Sequence, residues 1–234
     1  MLNIRVPNRF KYVFQTAWRK HLNRCAEVHG MNDHYYSAKP KSQSDRRVFE
    51  TALRGVRLKL TSDAGVFSRD GVDYGSRVLI EHMEFSANAR ILDIGCGYGP
   101  IGLIAARLAP QGHVKLIDIN ERAVELARLN AAANGIVNVS FASGDLYEAV
   151  EGDSFDAILS NPPIRAGKAV VHRVFSEAFE RLNPGGELWI VIQNKQGAPS
   201  ARAKLEEIFG EDEVSEVAKD KGFRVYRAKK AKGE

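Results

Sequence analysis

The chain has 234 residues, with 34 Lys and Arg against 29 Asp and Glu and a formal net charge of +5. A hydrophobic content of 44% and a charged content of 27% are those of an ordinary globular protein and exclude disorder, collagen and coiled coil. No apolar run approaches the ~18 residues of a transmembrane helix, and two cysteines, Cys25 and Cys96, exclude a disulfide scaffold and fit a reducing, cytoplasmic setting.

The basic surplus, which invites a nucleic-acid reading, is local. Residues 1–30 carry Arg5, Arg9, Lys11, Arg19, Lys20 and Arg24 against Glu27 alone, so the remaining residues sum to zero. Three readings fit this segment: a short amphipathic helix over Asn8–Val28, a transit peptide, or translation from a start upstream of the natural Met31. The last is preferred. The expected organisation is a basic extension over 1–30, loosely packed or not native, and one domain over 31–234.

His34–Ser44 reads as an irregular lead-in. Val48–Leu53 and Val56–Thr61 alternate around Gly55 as a β-hairpin. A Gly- and Asp-rich loop over Ser62–Gly75 runs into a helix over Asp73–Phe85. Strands at Arg90–Ile94, Val114–Ile119, Val139–Ser143, Ala157–Ser160 and Glu187–Gln193 then alternate with helices at Ile101–Leu108, Glu121–Asn134 and Val170–Leu182. Asn183–Gly186 reads as a breaker between the last helix and strand. A helix over Ser200–Phe209 precedes strands at Val214–Lys219 and Phe223–Ala228. Repeated βα units predict an α/β fold: a mostly parallel sheet, helices on both faces, ligands at the carboxyl ends of the strands.

The chemistry-bearing residues fall at those ends. Strand Ile91–Ile94 runs into Gly95-Cys96-Gly97-Tyr98-Gly99, where missing Cβ atoms let backbone approach a ligand and a helix N-terminus follows. The spacing Gly97-x-Gly99-x-x-Gly102 matches a dinucleotide fingerprint. The extra Gly95 and the acid Asp93 go against a pyrophosphate, since Asp93 would repel it and welcome an amino group or water. Asp118 ends the second strand, where a carboxylate can accept both ribose hydroxyls. Asp145 ends the third and could accept an adenine amine, with Leu146 against the ring. Any one of these acids could be a helix cap or turn residue; three in register describe a nucleoside site that carries a cation.

This combination resembles the class I S-adenosylmethionine-dependent methyltransferases over about residues 48–228. The resemblance implies a Rossmann-like methyltransferase fold, with a seven-stranded mostly parallel sheet preceded by a β-hairpin, and S-adenosyl-L-methionine as cofactor. It puts Gly95, Gly97 and Gly99 against the methionine part, Asp118 on the ribose, Asp145 with Leu146 at the adenine, and Asp93 near the amino end. Cys96 reads as a small loop residue, because nothing basic adjoins it.

Phe155–Ser160 runs into Asn161-Pro162-Pro163-Ile164-Arg165. Two prolines fix an extended backbone and remove two donors. The Asn161 side-chain carbonyl and the Pro162 main-chain carbonyl can then accept both hydrogens of one planar amino group, drawing its lone pair out of conjugation. Asn161 and Pro162 are therefore the expected catalytic pair, with Asn161 also beside the cofactor. The motif resembles that of methyltransferases acting on amino or amide nitrogen, many of which place an aromatic where this chain has Ile164.

Tyr35-Tyr36-Ser37, Thr61–Ser68, Asp73-Tyr74-Gly75-Ser76, Asn161–Lys168 and Gln193–Ala198 narrow the resemblance to small-domain methyltransferases related to the enzyme of 16S ribosomal RNA guanine N2, in their single-domain form. This implies that Phe67 walls the cofactor cleft and that Pro163, Ile164, Arg165, Lys168 and Lys195 lie near substrate. Arg165, Lys168, His172 and Arg173 could meet phosphates. The expected partner is ribosomal RNA or the small ribosomal subunit, with neither a metal nor a membrane. Protein glutamine methylation, a non-catalytic cofactor-binding module and, last, a dehydrogenase are the alternatives. A chain that begins at Met31 is expected to fold and to transfer methyl groups; assaying that shortened chain is the check, and lost activity would make the basic arm an RNA-binding element.

Overall fold

The computed structural model describes residues 42–232. The expected helix and loose packing of residues 1–30, and the Tyr35-Tyr36-Ser37 motif, lie outside the described residues.

Strands β1 (Arg47–Leu53) and β2 (Val56–Ser62) form the antiparallel hairpin. Helix α1 (Tyr74–His82) follows, N-capped by Asp73, whose side chain accepts from the Ser76 N–H. The remaining elements are β3 (Arg90–Ile94), α2 (Pro100–Leu108), β4 (His113–Asp118), α3 (Glu121–Ala133), β5 (Val139–Ser143), β6 (Phe155–Ser160), α4 (Lys168–Arg181), β7 (Leu182–Gln193), α5 (Ala198–Phe209), β8 (Val214–Asp220) and β9 (Phe223–Lys229). The seven-stranded sheet has the order β5-β4-β3-β6-β7-β9-β8. Its first five members are parallel, while β9 runs antiparallel to both β7 and β8. The strand order reverses about β3, so a crevice opens where the carboxyl ends of β3, β4, β5 and β6 gather.

Alternation along the strands divides the core in two. Ile91, Leu116, Ala157, Leu159, Trp189 and Val191 face the hairpin, α1, α2 and α3. Leu92, Ile117, Ile158, Leu188 and Ile190 face α4 and α5. Burial on both faces makes these strands continuous apolar runs. The expected breaker Asn183–Gly186 does end the preceding helix, at Arg181, but then joins β7. Leu182 pairs with Phe155, and Gly185 and Gly186 exchange hydrogen bonds with Lys230 at 2.8 and 2.9 Å. Sheet pairing recruits a segment that local propensity reads as a turn.

The hairpin is tied to the domain by two asparagines one turn apart, Asn130 on α3 and Asn134 at its C-cap. Asn130 accepts from Thr61 N at 2.7 Å and donates to Thr61 O and Tyr98 O, each at 2.9 Å. Asn134 accepts from Lys59 N at 2.9 Å and donates to Lys59 O at 2.8 Å. Four helical residues advance about 6 Å and two strand residues about 6.7 Å, so the two amides match alternate residues of β2 and satisfy its free edge as a strand would. Asn130 is fully buried. Asn130→Ala strands three backbone groups and is expected to cost about 2–4 kcal/mol, read as a lowered urea midpoint, with Asn134→Ala costing less.

Candidate active site

A cavity of about 270 Å³ opens at the crevice. Its wall takes Ile94, Gly95 and Gly97 from the β3 end, Asp118 and Asn120 from the β4 end, Asp145 and Leu146 from the β5 end, and Asn161, Pro162 and Pro163 from the β6 end. Of the expected cofactor residues, Gly95, Gly97, Asp118, Asp145, Leu146 and Asn161 are thus brought together on one wall. Asp93 and Gly99 are not.

The two inner glycines have positive φ, +71° at Gly95 and +56° at Gly97, and a Cβ on either would stand in open space with no heavy atom within 4 Å. Glycine serves here for the turn and for a bare backbone surface facing the cavity. The half-buried Asp118 holds the loop in this shape. Its Oδ2 accepts from Gly97 N and its Oδ1 from Asn120 N, both at 2.9 Å. Burial pushes its carboxyl above the usual range, against the lowering effect of these N–H groups.

Asp93 is fully buried behind the loop. One oxygen accepts from Gly102 N at 2.8 Å, near the start of α2; the other, Oδ1, has no partner. A Cβ on Gly102 would come within 2.6 Å of Leu116 and 2.9 Å of Asp93. The third glycine, Gly99, is the left-handed N-cap residue of α2, packed on Ala127 and Leu103. Gly99 and Gly102 therefore serve the seating of α2 against β4 and α3. Cys96 is buried, and burial with the charges of Asp118 and Asp93 lifts its thiol well above the usual range, which leaves it inert as expected.

At the β5 end, Leu146 adopts a left-handed φ of 50°. Asp145 pairs with Arg173 at 2.9 Å, and Arg173 also pairs with Glu177 at 2.8 Å. This corrects the expectation that Arg173 faces phosphates: two carboxylates engage it.

At the β6 end, Asn161 Nδ2 donates to Asp73 Oδ1 and to Ser76 Oγ, each at 3.1 Å. An ionised carboxylate only accepts, so the nitrogen must face Asp73 and the carbonyl oxygen is left for the cavity. Pro162 O accepts from Ile164 N at 2.8 Å and keeps its second lone pair. Ile164 and Lys168 line a separate cavity of about 160 Å³ between the starts of α4 and α5, with His172 and Gln196. Arg165 and Lys195 are exposed on short turns after β6 and β7. The basic residues grouped by sequence are thus spread over separate surfaces.

Phe67 was expected on the cleft wall and stands there, but sequence reasoning assigned no role to the residues that hold the roof. Val66 and Phe67 line the cavity. Behind them Asp63 accepts from Ser44 Oγ at 2.7 Å, Asp45 N at 2.6 Å and Ala64 N at 2.7 Å, and Arg122 lies at 3.9 Å. Burial pushes the Asp63 carboxyl up, but these donors and the guanidinium outweigh it and hold it below the usual range. Asn120 caps α3 and donates to Gly65 O at 2.8 Å. The sequence signal for this clasp was the stretch Thr61–Ser68, which carried part of the family resemblance. Among the described residues no group of three or more His, Cys, Asp or Glu could hold a metal ion, and no helix is long and apolar enough to cross a membrane.

The model of one protein family, the methyltransferase small domain, matches residues 57–227. The chain belongs to that family. This methyltransferase small domain is 52% identical over 202 residues to the uncharacterized protein YbxB of Bacillus subtilis, covering 86% of this chain and 100% of that protein. It is 36% identical over 193 residues to ribosomal RNA small subunit methyltransferase C of Escherichia coli, covering 81% of this chain and 54% of that protein. A solved structure of the Thermus thermophilus 16S rRNA N2 methyltransferase RsmC, in complex with AdoMet and guanosine, superposes with a TM-score of 0.71 at 28% identity, covering 82% of this chain and 52% of that one. The chain spans about half the length of these RNA methyltransferase relatives. Its fold and family are those of the S-adenosylmethionine-dependent methyltransferases.

Burial, and then the charge of Asp118, lift the Asp93 carboxyl from 3.8 to about 7, against the lowering effect of Gly102 N. The folded chain then keeps a proton that the unfolded chain loses near 3.8. Asp93 therefore contributes stability that is full below that value and is lost as pH rises through about 7. The difference in urea stability between about pH 5 and about pH 8 is expected to be smaller in Asp93→Asn than in the natural chain.

Proposed function

We propose that this chain transfers a methyl group from S-adenosyl-L-methionine to an exocyclic amino group of RNA, guanine N2 of 16S ribosomal RNA. The observation that carries the reading is Asn161, with its amide nitrogen held from behind at 3.1 Å by Asp73 and Ser76 and its side chain on the cavity wall beside Pro162.

The residues present fit the cofactor on three counts. Gly95 and Gly97 offer a bare cradle that a Cβ would enter. Asp118 offers a carboxylate on the cavity wall for a vicinal diol. Asp93, behind the loop and off the cavity wall, keeps an unpartnered buried oxygen that could reach the cofactor's amino end only through a water. When bound, the cofactor supplies a methyl group activated by a sulfonium.

Asn161 Oδ1 and Pro162 O accept the two amino hydrogens of the substrate. Accepting both turns the nitrogen lone pair away from the ring and toward the cavity, so this chain contributes chiefly position and polarity. The nitrogen becomes acidic once methylated and sheds its proton to water, so no separate base is required. The N2 assignment draws on the Thermus relative alone, and the assignment to small-subunit ribosomal RNA on both the Escherichia coli and Thermus relatives. Pro163, with Ala166 and Val170 on the cavity wall, gives the base an apolar contact. Arg165, Lys168 and Lys195 are assigned to neighbouring phosphates.

The test is transfer of label from S-adenosylmethionine to undermodified 16S RNA, to assembled small subunits and to a protein pool, assayed separately. Label in RNA is expected; label in protein alone would favour the glutamine alternative. Asn161→Ala should lower transfer by at least about 100-fold with cofactor affinity kept, whereas Asp118→Ala should weaken cofactor binding in calorimetry. Equal loss of binding and transfer in Asn161→Ala would refute the role given to it.

A further inference from the structure

Asn161 stands at the cavity wall, but the groups that hold it come from a helix start 88 residues earlier. Asp73 Oδ1 accepts two hydrogen bonds at 3.1 Å, from Ser76 N within α1 and from Asn161 Nδ2 across the site. Ser76, itself buried, meets the same nitrogen at 3.1 Å through its hydroxyl. Asp73 and Ser76 stand behind Asn161, outside the cavity wall.

We propose that Asp73, with Ser76, is a positioning residue that sets both the orientation and the charge of the Asn161 carbonyl for methyl transfer. The inference rests on the transfer reading above and goes one step behind it. Three physical points carry it. First, an amide nitrogen has two hydrogens, and here two acceptors face it, so the amide cannot flip its nitrogen toward the substrate. Second, donation to an anion polarises an amide, so the far oxygen becomes a stronger acceptor. Third, positive charge appears on the amino nitrogen as it takes the methyl group. An acceptor backed by a carboxylate stabilises that charge where it develops.

Capping of α1 alone does not explain the residue type. Asn, Ser and Thr also cap well, and the Ser76 N–H needs an acceptor but not a negative charge. The dipole of α1 also favours an anion at this end, but the hydrogen bond to Asn161 is what carries that charge to the site.

The test uses the full chain. Asp73→Asn keeps a cap and an acceptor but removes the charge. It should lower kcat for methyl transfer to RNA by about 10- to 100-fold. KM for RNA and the cofactor Kd should stay within about twofold, and the urea midpoint should fall only slightly, from the lost dipole interaction of the cap. Ser76→Ala should lower kcat less, since Asp73 still holds the nitrogen. A second readout is independent of activity. The side-chain amide protons of Asn161, assigned by their loss in Asn161→Ala, should exchange with water faster in Asp73→Ala/Ser76→Ala than in the natural chain. The proposal is overturned by an Asp73→Asn enzyme of unchanged kcat, by a kcat loss that follows a loss of stability, or by unchanged exchange in the double variant. Absence of transfer to RNA by the natural chain would sink the functional reading instead, and the exchange comparison would still decide whether Asp73 and Ser76 hold Asn161.

Discussion

Two carboxylates at the carboxyl edge of an apolar sheet must find hydrogen-bond donors, and the site is built around how they do so. Asp93 and Asp118 end neighbouring strands among Ile91, Leu92, Leu116 and Ile117. Burying a carboxylate without partners costs several kcal/mol. The nearest donors are backbone N–H groups of the segments that follow: Gly102 for Asp93, and Gly97 and Asn120 for Asp118. Satisfying them curls the glycine loop over the strand ends and starts α2 and α3 at fixed positions. The geometry of the cavity is thus a consequence of desolvation. The price is visible in both acids, whose carboxyls are lifted by burial.

A second layer of order comes from asparagine side chains acting as backbone substitutes. Asn130 and Asn134 complete the edge of β2, Asn120 ties α3 to the roof loop at Gly65, and Asn161 ties β6 to the cap of α1. An amide carries donors and an acceptor in one plane, so it can meet backbone groups or a carboxylate with little strain. These ties link segments 55 to 88 residues apart. They explain how a hairpin outside the main sheet is held against α3 and how the loop that follows it comes to line the crevice.

The same economy bears on substrate choice. The described surface near the site is not a uniform basic field. Arg173 is engaged by Asp145 and Glu177, while Ile164 and Lys168 border a second, smaller cavity. In the proposed reaction, selection of an amino group therefore rests on a few oriented acceptors, in the manner of a site built to hydrogen-bond its substrate. The relatives named for ribosomal RNA are about twice as long as the matched region, and what their remaining half contributes has no counterpart in residues 42–232.

Much of this was legible from residue order. Apolar runs of strand length alternating with helical periodicity determined the βα units, and all but one of the strand starts lay within two residues of the expected positions, because burial on both faces leaves a strong local signal. The glycine loop, the acids at successive strand ends and Asn161-Pro162-Pro163 determined the family. Tertiary structure alone decided that Asn183–Gly186 joins β7, that Asp93 and Gly99 lie behind the cavity, that Arg173 belongs to Asp145, and that Asn161 is held by Asp73 and Ser76. The physical reason is common to all four. Periodicity and turn chemistry record what a residue does with its near neighbours, whereas a side-chain bond across 28 or 88 residues leaves no periodic trace. Only the packed sheet brings those partners within reach.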